Sequence, residues 1–181
     1  MKRIFFAIPL TVEIQQRLSL VQGDIRRQLQ HSRVAWVSPC DMHITLHFLG
    51  EVSVASILKL VQEVRKLSLP DAFSLSCGDV DAFPSKKNPE TIIVRTHTHT
   101  ALSALRQRLG TVIVSQGLTM SERAFHPHVT LGRVRSSGEV LQPEQVSPLS
   151  AQILIGGFTL FESKLTPDGP VYSALEHFPI G

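Results

Sequence analysis

The spacing of apolar and polar positions changes along the chain, and each change marks an element. Arg3 to Ile8 is a short continuous apolar run stopped by Pro9, which predicts a strand covered on both faces. Ile14, Leu18, Val21, Ile25 and Leu29 then recur at spacings of three and four, predicting an amphipathic helix with Thr11 placed to cap it. Gly23 weakens that helix by about 1 kcal/mol relative to alanine without ending it. Arg33 to Val37 reads as a strand, stopped by Ser38-Pro39, and His43 to Leu49 as an alternating strand closed by Gly50. A second helix follows Ser53, with Val54, Ile57, Leu58, Val61 and Val64 on one stripe and Pro70 beyond it. Ala72 to Phe83 reads as one strand or two, the segment from Pro84 to Pro89 as a turn-rich loop, and Thr91 to Thr96 as a strand. A third helix spans about His99 to Ser115, with Leu102, Leu105, Leu109, Val112 and Ile113 inward. After the loop from Ser121 to Pro127, His128 to Val134 is a strand and Ser136 to Pro148 a polar surface loop. Two last strands, Ala151 to Ser163 and Val171 to Phe178, flank a turn at Pro167-Asp168-Gly169-Pro170.

Three helices and about eight strands, interleaved, predict an α+β fold. The halves of the chain are similar in kind: each has an apolar strand, an amphipathic helix and a strand containing His-x-Thr. The expected architecture is two lobes, each an antiparallel or mixed sheet with helices outside, whose motif strands face one another across a central cleft.

Composition adds limits. A chain of 181 residues with 43% apolar and 18% charged side chains is long enough to bury a core and too apolar to be disordered. A net charge of +3 suits an anionic substrate but is too weak for wrapping duplex nucleic acid. Cys40 and Cys77 lack metal-type spacing and form no disulfide framework, so free thiols in a reducing compartment are expected. The opening apolar run is too short for a signal peptide, and no stretch reaches the roughly 20 apolar residues of a membrane span. The expected protein is soluble and cytoplasmic.

Chemistry concentrates in a stretch that occurs twice, His43-Ile44-Thr45-Leu46 and His128-Val129-Thr130-Leu131. In a strand successive side chains point to opposite faces, so each copy presents an imidazole and a hydroxyl side by side, with its apolar pair in the core. Imidazoles give and take protons near neutrality. A threonine hydroxyl donates a hydrogen bond to an anionic oxygen. One His-x-Thr is commonly a structural pair; two copies in matching apolar settings point to a site built for a phosphodiester.

At these residues the chain resembles the two-histidine (2H) phosphoesterase superfamily. Within it the chain is most similar to the RNA 2′,3′-cyclic phosphodiesterases, also called 2′-5′ RNA ligases (the LigT group). The resemblance extends from Arg3-Ile4-Phe5-Phe6-Ala7-Ile8 and Trp36-Val37, through His43 to Gly50 and Phe125 to Arg133, to the late Tyr172. It implies a single domain over 1–181 with two lobes, pseudo-two-fold symmetry and both motifs in one cleft. It also implies no metal, no cofactor, and action on RNA that ends in a 2′,3′-cyclic phosphate or on a cyclic nucleotide; a monomer is the default expectation. Carried over by position, His43 is the general acid on the leaving 3′ oxygen and His128 the general base on water. Thr45 and Thr130 grip non-bridging phosphate oxygens, Arg133 adds positive charge to the transition state, and Phe125 stacks on the terminal base. The reaction implied leaves a 2′-phosphate.

Strict alternation would turn Arg133 away from His128, so a bulge or the strand's end must re-aim it. By the same parity His47 shares the face of His43 and Thr45, either lining the cleft as a substrate contact or sitting at its rim. Tyr172 is core, cleft wall or a substrate-positioning group. His97 and His99, two apart, lack a third ligand at metal-type spacing, and Thr98 between them suits a helix N-cap. Cys40 lies near His43 without a third orienting group. Competing functions are 2′-5′ ligation or 2′-5′ phosphodiester cleavage in the same cleft, a non-catalytic RNA- or nucleotide-binding module, and a metal-dependent hydrolase.

Overall fold

The first apolar run forms strand β1 (Lys2–Pro9), in which Ile4 through Ile8 are all buried. Such a run needs cover on both faces, and β1 has it. Ile4, Phe6 and Ile8 join the apolar cluster that includes the helices, whereas Phe5 packs its ring with Phe48, Phe161 and Tyr172 on the other face. The computed structural model describes residues 1–97, 99–121, 124–136, 139–146, 149–167 and 169–181. Thr98 and Asp168 of the expected cap and turn lie outside these, as do parts of the two loops before and after the second motif strand.

Helix α1 (Val12–Gln28) starts at Thr11, whose hydroxyl accepts from the Ile14 N–H, and runs through Gly23 unbroken. It leads to β2 (Arg33–Trp36), a short 3₁₀ turn at Pro39–Asp41 and the first motif strand, β3 (His43–Val52). Helix α2 (Val54–Val64) is capped by Ser53 and buries Ile57, Leu60 and Val64. Leu58, placed on the buried stripe by spacing, is exposed, and Leu60 takes its place. The hairpin β4 (Phe73–Pro84) and β5 (Pro89–Thr96) precedes helix α3 (Thr100–Ser115), whose N-cap is His99: its Nδ1 accepts from the Ala101 N–H at 3.2 Å. The second motif strand is β6 (His128–Ser136).

The expected strand from 151 to 163 is two strands with different partners. β7 (Ala151–Ile155) pairs with β4, and β8 (Gly157–Thr166) crosses to pair with β1, with β9 (Gly169–Pro179) beside it. The loop before β7 is less superficial than its polarity suggests, because Leu141, Val146 and Leu149 reach into the core.

Among the described residues all pairings are antiparallel, and the two expected sheets are one, in the order β7-β4-β5-β6-β3-β1-β8-β9 with β2 on β6. The halves meet at β3 and β6 through the pair Ile44 and Val129. The histidine motifs therefore lie next to each other at the centre. One apolar cluster backs the sheet and takes in all three helices. Among the described residues no helix is long and apolar enough to cross a membrane.

Candidate active site

Along β3 the alternation holds for three residues and then breaks. His43 pairs with Pro9, Ile44 with Ile8 and Thr45 with Ala7; Leu46 is an extra residue, after which His47 pairs with Phe6 and Phe48 with Phe5. One inserted residue reverses the facing of the residues that follow it, here until a second shift at Leu49. His43 and Thr45 therefore share their face with Phe48. His47 turns to the helix side, 4% exposed, where its Nε2–H donates to the Arg106 carbonyl at 2.8 Å. The expectation that His47 joins His43 and Thr45 is overturned by this bulge. Burial also lowers the His47 pKa and favours the neutral ring.

β6 repeats the device at the same place in its motif. His128 pairs with Arg95, Val129 with Val94 and Thr130 with Ile93; Leu131 is the extra residue, and Gly132 and Arg133 then pair with Ile92 and Thr91. The bulge returns the exposed Arg133 to the face of His128 and Thr130. Gly132 follows from close packing: a Cβ there would stand 2.8 Å from Val34 Cγ1 and 3.0 Å from Trp36 Cε3.

The two imidazoles are held alike. His43 Nδ1–H donates to the Asp41 carbonyl at 2.6 Å, and His128 Nδ1–H to the His126 carbonyl at 2.6 Å. A carbonyl can only accept, so in each neutral ring the proton sits on Nδ1 and the lone pair on Nε2. Rings wall each histidine. Phe5 and Tyr172 lie 5.1 and 5.3 Å from the His43 ring, and Phe83 lies 5.5 Å from the His128 ring.

Burial lowers the pKa of both histidines, and their charged neighbours differ. At His43 burial is opposed by the Asp41 carbonyl and the Asp41 carboxylate, with smaller lowering effects from His128 and Arg133. At His128 burial is opposed by the His126 carbonyl, while Arg133, Arg95 and His126 all push further down. Arg133 acts on both imidazoles and on Tyr172, whose pKa is raised by burial against the pull of that guanidinium. One cation thus serves the space between the motifs.

Of the remaining expected residues, Tyr172 reaches the site edge-on to His43. Phe125 does not: it lies beneath the Arg106 guanidinium, 4.5 Å from ring centre to Cζ. With His47 it lines a cavity of about 800 Å³ beside α3. Phe48, 50% exposed, lies 5.6 Å from Phe5, the ring that packs on His43. Cys40 approaches the Ser38 hydroxyl at 3.1 Å. Among the described residues no three His, Cys, Asp or Glu side chains come together as a metal site.

Sequence reasoning missed Asp41, Phe83, Arg95 and Phe48. The cross-strand position of Arg95 opposite His128 needs the register, and Phe48 needs the bulge. Asp41 carries a faint signal, a carboxylate two residues before a motif histidine.

The family model for LigT-like phosphoesterases matches residues 8–94 and 95–172, one motif in each segment. An RNA 2′,3′-cyclic phosphodiesterase of Bacillus subtilis is 30% identical over 148 residues, covering 80% of each chain. One of Thermotoga maritima is 28% identical over 177 residues, covering 96% of this chain and 92% of the relative. One of Geobacillus stearothermophilus is 29% identical over 180 residues, 97% of this chain, which spans 56% of that relative's length. Among solved structures, a Thermus thermophilus protein superposes with a TM-score of 0.83 at 24% identity, covering 98% and 97% of the two chains. E. coli LigT complexed with 3′-AMP superposes with a TM-score of 0.80 at 24% identity, covering 99% and 98%. Matched across both motifs and sharing its fold nearly end to end with these structures, the chain belongs to the LigT-like phosphoesterase family.

Proposed function

We propose that this protein hydrolyses the 2′,3′-cyclic phosphate at an RNA end to a 2′-phosphate, with His43 as general acid and His128 as general base. Relatives named RNA 2′,3′-cyclic phosphodiesterase, 28 to 30% identical over most of this chain, support the substrate class. The observation that carries the mechanism is that two Nε2 atoms, each freed by an Nδ1–H bond to a carbonyl, lie on one face with Arg133 acting on both.

In the proposed reaction His128 Nε2 takes a proton from water as the water oxygen bonds to phosphorus. The bond from phosphorus to the 3′ oxygen breaks opposite, and that oxygen leaves with the proton of His43 Nε2. His128 ends protonated and His43 neutral, and exchange with solvent restores both. Thr45, Thr130 and Arg133 donate to the non-bridging oxygens, where a preorganised donor is worth roughly 3 kcal/mol. The charged neighbours support this choice of acid and base. The carboxylate of Asp41 favours a charged His43, and the cations around His128 favour its neutral form. The bound phosphodiester, an anion, raises His43 against the lowering by burial.

The test is an oligonucleotide ending in a 2′,3′-cyclic phosphate, incubated with the protein and a chelator, with the product phosphate located by phosphorus NMR. A 2′-phosphate is expected. A 3′-phosphate would reverse the leaving oxygen, and no turnover at micromolar enzyme would overturn the reading.

A further inference from the structure

Gln22 interrupts the apolar stripe of α1 and is 3% exposed, one of few buried polar side chains among the described residues. Both protons of its Nε2 are used, donating to the Val37 carbonyl at 2.8 Å and to the Leu131 carbonyl at 2.9 Å. Its Oε1 accepts from Arg26, whose guanidinium lies over the Trp36 ring at 4.9 Å. The amide therefore has one workable orientation.

The place it holds is the bulge of the second motif strand. Leu131 is the extra residue of β6, at the point where the edge of β6 passes from β3 to β2. The Leu131 carbonyl already accepts from the Val37 N–H at 2.9 Å, so its need for a donor is met without Gln22. What Gln22 adds is a cross-link between the end of β2 and the bulge, made from the helix behind them. The first motif has a counterpart. The Leu46 carbonyl, at the other bulge, accepts from Arg106 Nε at 3.3 Å on α3, and the His47 ring answers with its bond to the Arg106 carbonyl. In both motifs a helix side chain grips the bulged leucine, two residues before the side chain that the bulge re-aims.

We propose that Gln22 is a positioning residue for Arg133, holding the bulge at Leu131 so that the guanidinium two residues on is delivered to the face of the two histidines. Its kinetic consequence rests on the cyclic phosphodiesterase reading; its effect on the geometry around His128 does not.

The test is a double-mutant cycle of Gln22→Met and Arg133→Ala, read by turnover of cyclic-phosphate RNA and by NMR titration of the His128 ring. With Arg133 present, Gln22→Met lowers kcat about tenfold or more and leaves KM within a few-fold. The His128 pKa rises as the cation moves off. With Arg133 already removed, Gln22→Met changes neither by more than about twofold. Equal losses in both backgrounds, or none with Arg133 present, would overturn the proposal. If the wild-type protein turns over no cyclic phosphate, the functional reading fails and the titration alone decides this one. Should Gln22→Met fail to fold by circular dichroism, Gln22→Asn, which keeps the amide but shortens its reach, takes its place in the cycle.

Discussion

At the scale of single residues the site rests on how two imidazoles are anchored rather than on any unusual side chain. Each donates Nδ1–H to a carbonyl two residues upstream, an arrangement built into the backbone before its strand, and so each presents Nε2. Asp41 then separates them, because its carboxylate favours a charged His43, whereas the charged groups acting on His128 are all cationic. Asp41→Asn keeps the carbonyl and removes the charge. In a pH profile of kcat/KM the alkaline limb, set by loss of the acid's proton, is expected to move to lower pH while the acidic limb stays. An unmoved alkaline limb would mean that the carboxylate does not support the acid. The histidines, threonines and their chemistry are legible in the sequence because the motif occurs twice. Asp41 does not stand out there, since its effect depends on a distance no spacing reveals.

At the scale of elements, the bulges decide what faces the substrate. Simple alternation places His47 beside His43 and turns Arg133 away; an extra residue directly after each motif threonine, Leu46 and Leu131, reverses both. Periodicity finds strands but cannot locate a bulge, whose contacts are distant: Arg106 on α3 meets the first and Gln22 on α1 the second. The same limit fuses β7 and β8 into one expected strand from 151 to 163, although the two pair with β4 and β1. Helices fare better, because amphipathic spacing and the caps at Thr11 and Ser53 are local signals. Gly132 is the element-scale prediction. Gly132→Ala places a methyl against Val34 and Trp36 and should cost about 1–3 kcal/mol in denaturant unfolding. It should also lower kcat by pressing β2 away from β6 beside Arg133. An alanine variant as stable as wild type would show that β2 yields freely there.

For the whole molecule, nine strands in one antiparallel sheet among the described residues bring together motifs 85 residues apart in the chain. The similarity of the two halves of the sequence is enough to predict an α+β fold that brings its motifs together. It cannot show that the last strands, β8 and β9, return to the first half, which is a matter of long-range pairing. Burial of titratable rings gives the fold a pH dependence. His43, His47 and His128 are all held below the ordinary histidine value of about 6.5, chiefly by burial. Between that value and their lower folded ones the unfolded chain binds more protons. Stability should therefore fall as pH drops through that window, with these groups costing nothing above it. Denaturant unfolding at a series of pH values checks this, and a stability that rises on acidification there would contradict it.

The central claim is that two imidazoles from distant parts of the chain act on one phosphorus, one giving a proton and the other taking one. Single-turnover rates on a saturating RNA ending in a 2′,3′-cyclic phosphate test it directly, comparing wild type with His43→Ala and His128→Ala. Each proton transfer is typically worth about 10²–10⁴-fold, so each variant should stay folded and lose at least two orders of magnitude. A folded variant of either kind that kept a near-wild-type rate would contradict the account.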